Sequence, residues 1–211
     1  MCNLFDNRVS FRDLVEAFGH LGLPIVRPQP QAAPNWPPQP AVRPTDPAPV
    51  VRAAQGGAEI LRLRWGFVAE RPKAGPVTNF RAEGRRLPNA GDRGRCLVPA
   101  TAFFEFTGTR SPKTRWRFTE AGQPWLCLAG LWRRRQTEEG PDERFTLLTI
   151  APGPDMAPYH DRQVVILPRQ SWRDWLTGAG SEADLLRAGP AGSLAVAQDA
   201  SGPLPLFGAD P

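Results

Sequence analysis

The sequence predicts an α+β fold: one domain on a curved, mostly antiparallel β-sheet or barrel-like core, with a few helices at its periphery. Three observations predict it. Short strand-like runs follow one another closely from Val50 onward, Gly, Pro and charged turns separate them, and helical periodicity is confined to one N-terminal stretch and two short C-terminal segments. At 211 residues the chain suits a single domain, spanning 1–211, with a sizeable core.

Ser10 is followed three residues later by Asp13, and Phe11, Leu14, Val15, Phe18 and Leu21 recur at helical spacing. This predicts a capped amphipathic helix from about 11 to 20, with Gly19 and Gly22 at its end. Between Pro24 and Pro49 stand ten prolines, which exclude regular helix and argue against a central strand. The segment 24–49 is read as an extended stretch laid over the surface, anchored by Ile25, Val26, Trp36 and Val42. Strands are then predicted at Val50 to Arg52, Glu59 to Val68, Arg95 to Val98, Phe103 to Phe106, Arg115 to Phe118, Trp125 to Trp132, Phe145 to Ile150 and Val164 to Leu167. Ser171 is read as the cap of a short helix holding Trp172, Trp175 and Leu176. A second short helix is expected from Ser181 to Arg187, and an irregular tail from about 202.

The net charge is +5, and all the basic residues except Lys73 and Lys113 are arginine. Guanidinium groups stay charged and present forked donors that match phosphate oxygens, so a nucleic-acid partner is compatible with this balance. No apolar run reaches the roughly 18 residues of a membrane span, and MCNLFDNRVS lacks the regions of a signal peptide. The expectation is a cytoplasmic protein with no membrane partner. Cys2, Cys96 and Cys127 form no CxxC pair and leave an odd count, which argues against a disulfide framework or a zinc site; no metal and no cofactor are expected.

Cys2 follows the initiator directly. Once Met1 is removed, Cys2 carries an α-amine and a thiol on adjacent carbons, with reference pKa values of about 7.7–8.0 and about 8.5. An amine adds to an aldehyde as a Schiff base, and the neighbouring thiol can close on the same carbon as a five-membered ring. Glu105 lies in the aromatic run Phe103-Phe104-Glu105-Phe106, on the face of Phe103. It either points to solvent or faces a pocket, where burial would favour its neutral form and suit it to proton transfer. His160 stands at a loop-to-strand junction, as a catalytic group or as a core histidine bonded to the backbone. His20, near the helix end, reads as a surface or capping residue. Asn79 is either a turn residue or a donor and acceptor for a reacting carbonyl or amine.

Together these residues carry a resemblance. Cys2 after the initiator, Trp65-Gly66, Asn79 with Arg81-Ala82-Glu83, Arg95 to Ala100 leading to Phe103 through Glu105, Ala129-Gly130-Leu131-Trp132, and His160-Asp161-Arg162 before Val165 to Leu167 resemble the SOS-response-associated peptidase family. The likeness runs from Met1 to about Leu176 in unchanged order. It implies covalent capture of abasic sites in single-stranded DNA during the DNA-damage response, with lyase-like or autopeptidase activity alongside. On that resemblance the Cys2 amine attacks the C1′ aldehyde of the opened deoxyribose and the thiol closes a thiazolidine. Asn79 orients the linkage, Glu105 moves protons around the amine, and His160 protonates the sugar oxygen. Arg81 and Arg162 match positions that engage the DNA backbone, and Trp65 and Phe67 are expected either to stack on bases or to pack in the core. The protein is expected to act as a monomer, associated with the nucleoid.

The chain departs from the family pattern in three places. Asn3-Leu4 replaces glycine and arginine, Phe104 takes a tyrosine position, and Gln163-Val164 replaces Met-Pro. Two other readings remain open: an N-terminal-cysteine peptidase using Cys2, His160 and Glu105, and a basic nucleic-acid-binding module with an idle Cys2.

Overall fold

A computed structural model describes residues 2–27, 34–71 and 73–199. Strand β1 (Phe5–Asn7) leads into helix α1 (Phe11–His20), followed by β2 (Ile25–Arg27), β3 (Gln39–Val42), β4 (Pro47–Ala54), β5 (Gly57–Trp65) and β6 (Asn79–Arg81). Five strands come next: β7 (Arg93–Ala100), β8 (Ala102–Thr107), β9 (Thr114–Glu120), β10 (Leu126–Thr137) and β11 (Gly140–Ile150). Then follow β12 (Gln163–Val164), β13 (Ile166–Leu167), α2 (Trp172–Thr177), α3 (Glu182–Leu185) and β14 (Leu194–Gln198).

Helix α1 forms where its periodicity placed it. Ser10 Oγ accepts the Asp13 N–H at 3.1 Å while the Asp13 carboxylate accepts the Ser10 N–H at 3.2 Å, a reciprocal cap. Leu14, Ala17 and Phe18 are its buried face, and His20 is exposed in its last turn. No helix among the described residues is long and apolar enough to cross a membrane.

Strands β4, β5, β11, β10 and β7 form a closed ring. Four of its pairings are antiparallel, and the fifth is a short parallel pairing of β5 with β11 at Arg144↔Arg64 and Phe145↔Trp65. A second, antiparallel sheet has the order β14-β9-β8-β1-β3. Arg52 on β4 reaches Glu143 on β11 at 2.9 Å, although these strands are not neighbours in the ring. The pair therefore crosses the barrel interior, where Arg52 also holds Glu59 at 2.7 Å. On the same inward parity, Val50, Trp65, Val98, Leu128 and Phe145 pack with Phe5, Phe103 and Phe118 of the second sheet. The outward parity places Leu97, Ala129 and Leu148 against Phe18 of α1 and Trp172 and Trp175 of α2.

Two expectations are corrected. The proline-rich segment, of which residues 28–33 lie outside the described set, enters the sheets: β4 begins at Pro47 and is part of the barrel wall. The Trp65 N–H bonds the Asp46 carbonyl at 3.0 Å, so even-numbered residues of β4 face the β5 ladder. Pro47 and Pro49 turn their missing N–H groups the other way, toward β7, which pairs with β4 only at Val51↔Leu97. Second, Ser171 does not cap α2; it ends a 3-10 turn, Arg169–Ser171, and its side chain makes no cap hydrogen bond. The tail predicted from about 202 lies outside the described residues.

Trp65 sits at the closing pair of the barrel. Its ring is fully buried, 5.1 Å from Phe5 and 6.3 Å from Phe145. Trp65→Ala is expected to cost about 3–5 kcal/mol of unfolding free energy in urea titrations. A loss below 1 kcal/mol, on the order of a surface change, would contradict its role as the closing core residue.

Candidate functional site

The amino terminus is steered to its place by β-pairing. Phe5 and Asp6 pair with Phe103 and Ala102 of β8, and the Phe104 N–H continues that ladder to the Leu4 carbonyl at 3.0 Å. In this antiparallel register the residues before Phe5 run on alongside Glu105 and Phe106. Cys2 is buried there, its thiol 3.4 Å from the Leu4 carbonyl. From the barrel side, Asn79 at the start of β6 donates Nδ2–H to the Cys2 carbonyl at 2.8 Å and to Thr78 Oγ1 at 3.1 Å. The Asn79 Oδ1 is buried without a hydrogen-bond partner among the described residues.

Glu105 does not point to solvent. It is 3% exposed, and burial pushes its carboxyl up to about 7, with the Asp161 charge adding to the rise and the positive charge of the chain's amino terminus opposing it. The same burial acts on Cys2, whose thiol is pushed up to about 12, with the Glu105 charge as a second cause. Trp116 on β9 stands directly across from Glu105, and Tyr159 packs on Trp116 at 4.8 Å and edge-on to Phe118 at 5.3 Å. Tyr159 is marked in the sequence only as the neighbour of His160; a Trp and a Tyr forty-three residues apart carry no local signal of meeting.

Tyr159 brings its neighbour His160 to the same side. The His160 N–H bonds the Met156 carbonyl at 3.1 Å, and Gln163 Oε1 accepts the Gly153 N–H at 2.9 Å, so the departing Gln163 pins the start of the His160 loop. Burial, followed by the charge of the amino terminus, lowers the imidazole pKa, while Asp161 opposes the shift. Nδ1 has two partners: the Arg162 N–H at 3.0 Å and Asp161 Oδ1 at 2.7 Å. The neutral ring accepts from Arg162 through Nδ1 and keeps its proton on Nε2; a protonated ring turns an Nδ1–H onto Asp161.

The structure thus gathers Cys2, Asn79, Glu105 and His160 into one region. The arginines and aromatics expected around it divide. Arg81 is exposed on β6, two residues beyond Asn79. Arg162 is engaged by Glu83 through two bonds of 2.6 and 2.8 Å, with Thr149 Oγ1 at 3.3 Å, and the pair holds the Glu83 carboxyl down at about 2. Phe67 is half-buried under the Arg133 guanidinium at 4.6 Å. Trp65 has no face open to a base: core packing, the alternative raised for it, is what the structure shows. Phe104 lies on the opposite face of β8 from Glu105, packed on Leu4 and Ala102. Among the described residues no group of His, Cys, Asp or Glu gathers that could hold a metal ion.

Comparison with known proteins bears on this arrangement. Residues 1–198 match the family described as SOS response associated peptidase (SRAP). Two Bacillus subtilis proteins, named abasic site processing protein YoqW and abasic site processing protein YobE, are each 27% identical over 201 residues, covering 89% of this chain and 85% and 87% of theirs. The crystal structure of a Bordetella bronchiseptica protein superposes with a TM-score of 0.70 at 26% identity, over 94% of this chain and 99% of that one. A Bacteroides thetaiotaomicron protein, at 18% identity and a TM-score of 0.68 over 92% of this chain and 91% of its own, shares the fold. With a match across almost the whole length and the motifs of that match folded around one buried cysteine, the chain belongs to the SOS response associated peptidase family.

Proposed function

We propose that the protein captures abasic sites in single-stranded DNA covalently, through Cys2 once Met1 has been removed. The observation that carries the reading is the meeting of four groups distant in sequence: Asn79 bonds the Cys2 carbonyl at 2.8 Å, the Glu105 charge acts on the Cys2 thiol, and Asp161, next to His160, acts on Glu105. The names of the Bacillus relatives, abasic site processing proteins, support the choice of substrate.

The chemistry follows from what each side chain can do. His160 gives a proton to the ring oxygen of the abasic sugar while the C1′ hydroxyl loses one, which opens the ring to the aldehyde. Glu105 takes a proton from the α-ammonium of Cys2, and the freed amine adds to C1′. The resulting carbinolamine loses its hydroxyl as water, with Glu105 returning a proton, to leave an imine. The thiol then adds to the imine carbon, and its proton passes to the nitrogen, giving a thiazolidine. One water is lost overall.

A carboxyl titrating near 7 suits this double duty, since at neutral pH it is populated in both forms. Burial keeps the Cys2 thiol protonated, so the amine leads and the sulfur follows. The orphaned Asn79 Oδ1 offers an acceptor to the amine, and its Nδ2 fixes the carbonyl of the same residue. Arg81 meets the phosphate beside the abasic sugar, and the edge of Phe67 supports a neighbouring base.

Protein with Met1 removed is expected to form a denaturant-resistant adduct with abasic single-stranded DNA without borohydride. Cys2→Ser is expected to keep only an imine that borohydride must trap; an undiminished, heat-stable adduct with Cys2→Ala would refute the reading. Turnover of a peptide beyond one equivalent, with no adduct, would favour the peptidase reading instead.

Glu105 makes a second prediction, in pH. Its folded pKa of about 7 lies above its ordinary 4.5, so the folded protein holds an extra proton between these values. Its contribution to stability is full below the lower value and is lost as the pH rises through the upper one. Glu105→Gln is expected to remove both this decline in melting temperature and a step near neutrality in the rate of adduct formation. A rate step that persists unchanged in Glu105→Gln would assign it to another group.

A further inference from the structure

The outer wall of the barrel carries a row of like charges that the chemistry at Cys2 does not use. Arg133 on β10 is paired directly with Arg93 on β7 at one side and with Arg144 on β11 at the other. Arg144 is in turn paired with Arg64 on β5, at the pairing that closes the ring. Residues in direct register point to the same face of a sheet. That face is the outer one, because Leu131 and Leu148, on the same strand parities as Arg133 and Arg144, belong to the cluster under the helices. Four arginines therefore stand side by side across four strands, over about 14 Å at ~4.8 Å per strand.

Like charges directly opposite one another are destabilising in a sheet. The row is only partly neutralised: Arg144 pairs with Asp142 at 2.7 Å and Arg93 approaches Asp92 at 3.6 Å, while no such pair is formed by Arg64 or Arg133 among the described residues. Arg133 lies instead over the Phe67 ring, and burial, then the charges of Arg135 and Arg93, lower its pKa; Glu70 and Asp92 oppose them. An array that raises its own repulsion, and that places a guanidinium on an aromatic face beside it, fits a partner bearing regularly spaced anions and flat bases.

We infer that the row Arg93–Arg133–Arg144–Arg64 is a phosphate track for single-stranded nucleic acid on the outer face of the barrel. Along the edge of β11, β5 pairs at Arg144 and Phe145, and β6 takes over at Leu147 opposite Asn79. Arg144 and Leu147 stand on opposite strand parities, so the track lies across the barrel wall from Asn79 and Cys2 and is a surface separate from theirs. Its single-stranded partner rests on the proposed function; its affinity for phosphates does not.

The test uses the full chain and a fluorescent thymidine oligonucleotide without any abasic site, titrated at several salt concentrations. For single strands the slope of log affinity against log salt is about −0.7 per phosphate contact. Arg64→Gln with Arg93→Gln is expected to flatten the slope by about 1.4 and to weaken binding irrespective of base sequence. Arg12→Gln with Arg187→Gln, equally exposed and equally charged, is the control and is expected to leave the slope unchanged. An unchanged slope in the first pair, or an equal flattening in both, would overturn the track. Adduct formation is scored separately: loss of the adduct in the parent protein with the salt slope intact counts against the proposed function and not against the track.

Discussion

Closure of the barrel at Trp65 is the constraint on which the site depends. The parallel pairing of Phe145 with Trp65 joins the first strands of the ring to the last, and the Gly66 N–H extends it to the Phe145 carbonyl at 2.7 Å. Gly66 is required there: its φ is +108°, and a Cβ would meet Pro76 at 2.7 Å. The Trp65 indole N–H and the Leu147 N–H both bond the Thr78 carbonyl, at 2.9 and 3.0 Å, and so place Asn79 at the head of β6. The other neighbour of Trp65 is Phe5, three residues from Cys2. One buried ring thus holds both partners of the Asn79–Cys2 bond, from opposite sheets.

The groups brought together by this closure are each displaced from their solution behaviour by the same cause. Burial disfavours charge on Glu105, on the Cys2 thiol and on His160 alike. A carboxyl, a thiol and an imidazole are each held nearer their neutral form than water would hold them. The Arg162–Glu83 pair lies at the rim of this region and stays ionised because its bonds are bidentate and close. It borders the His160 loop through the Arg162 N–H, which bonds His160 Nδ1 at 3.0 Å.

The sequence made the strand centres legible because they are apolar and β-branched or aromatic, and it made α1 legible because cap and periodicity agree. It hid the strand ends that are charged. The β10–β11 hairpin runs through Arg133, Arg134, Arg135 and Asp142 to Glu143, where no alternation of apolar residues marks a strand, and β4 begins on prolines. Ring closure was illegible for a different reason, since a parallel pair eighty residues apart has no local pattern. At the site, Cys2, Asn79, Glu105 and His160 were nameable from motifs, but the burial of Glu105 was not, because an alternating strand does not say which face is covered. Trp65 is the instructive case: its aromatic face suggested a base, while its indole N–H and its packing serve the core.

On the proposed function, Cys2 freed of Met1 forms a ring with the abasic aldehyde through both its amine and its thiol. Intact-mass measurement of the adduct, followed by mapping of the modified peptide, tests it most directly. The expected mass is that of protein plus DNA less one water, unaltered by borohydride, with attachment confined to the peptide that begins at Cys2. A gain of two hydrogens on borohydride treatment, or attachment at any other residue, would contradict it.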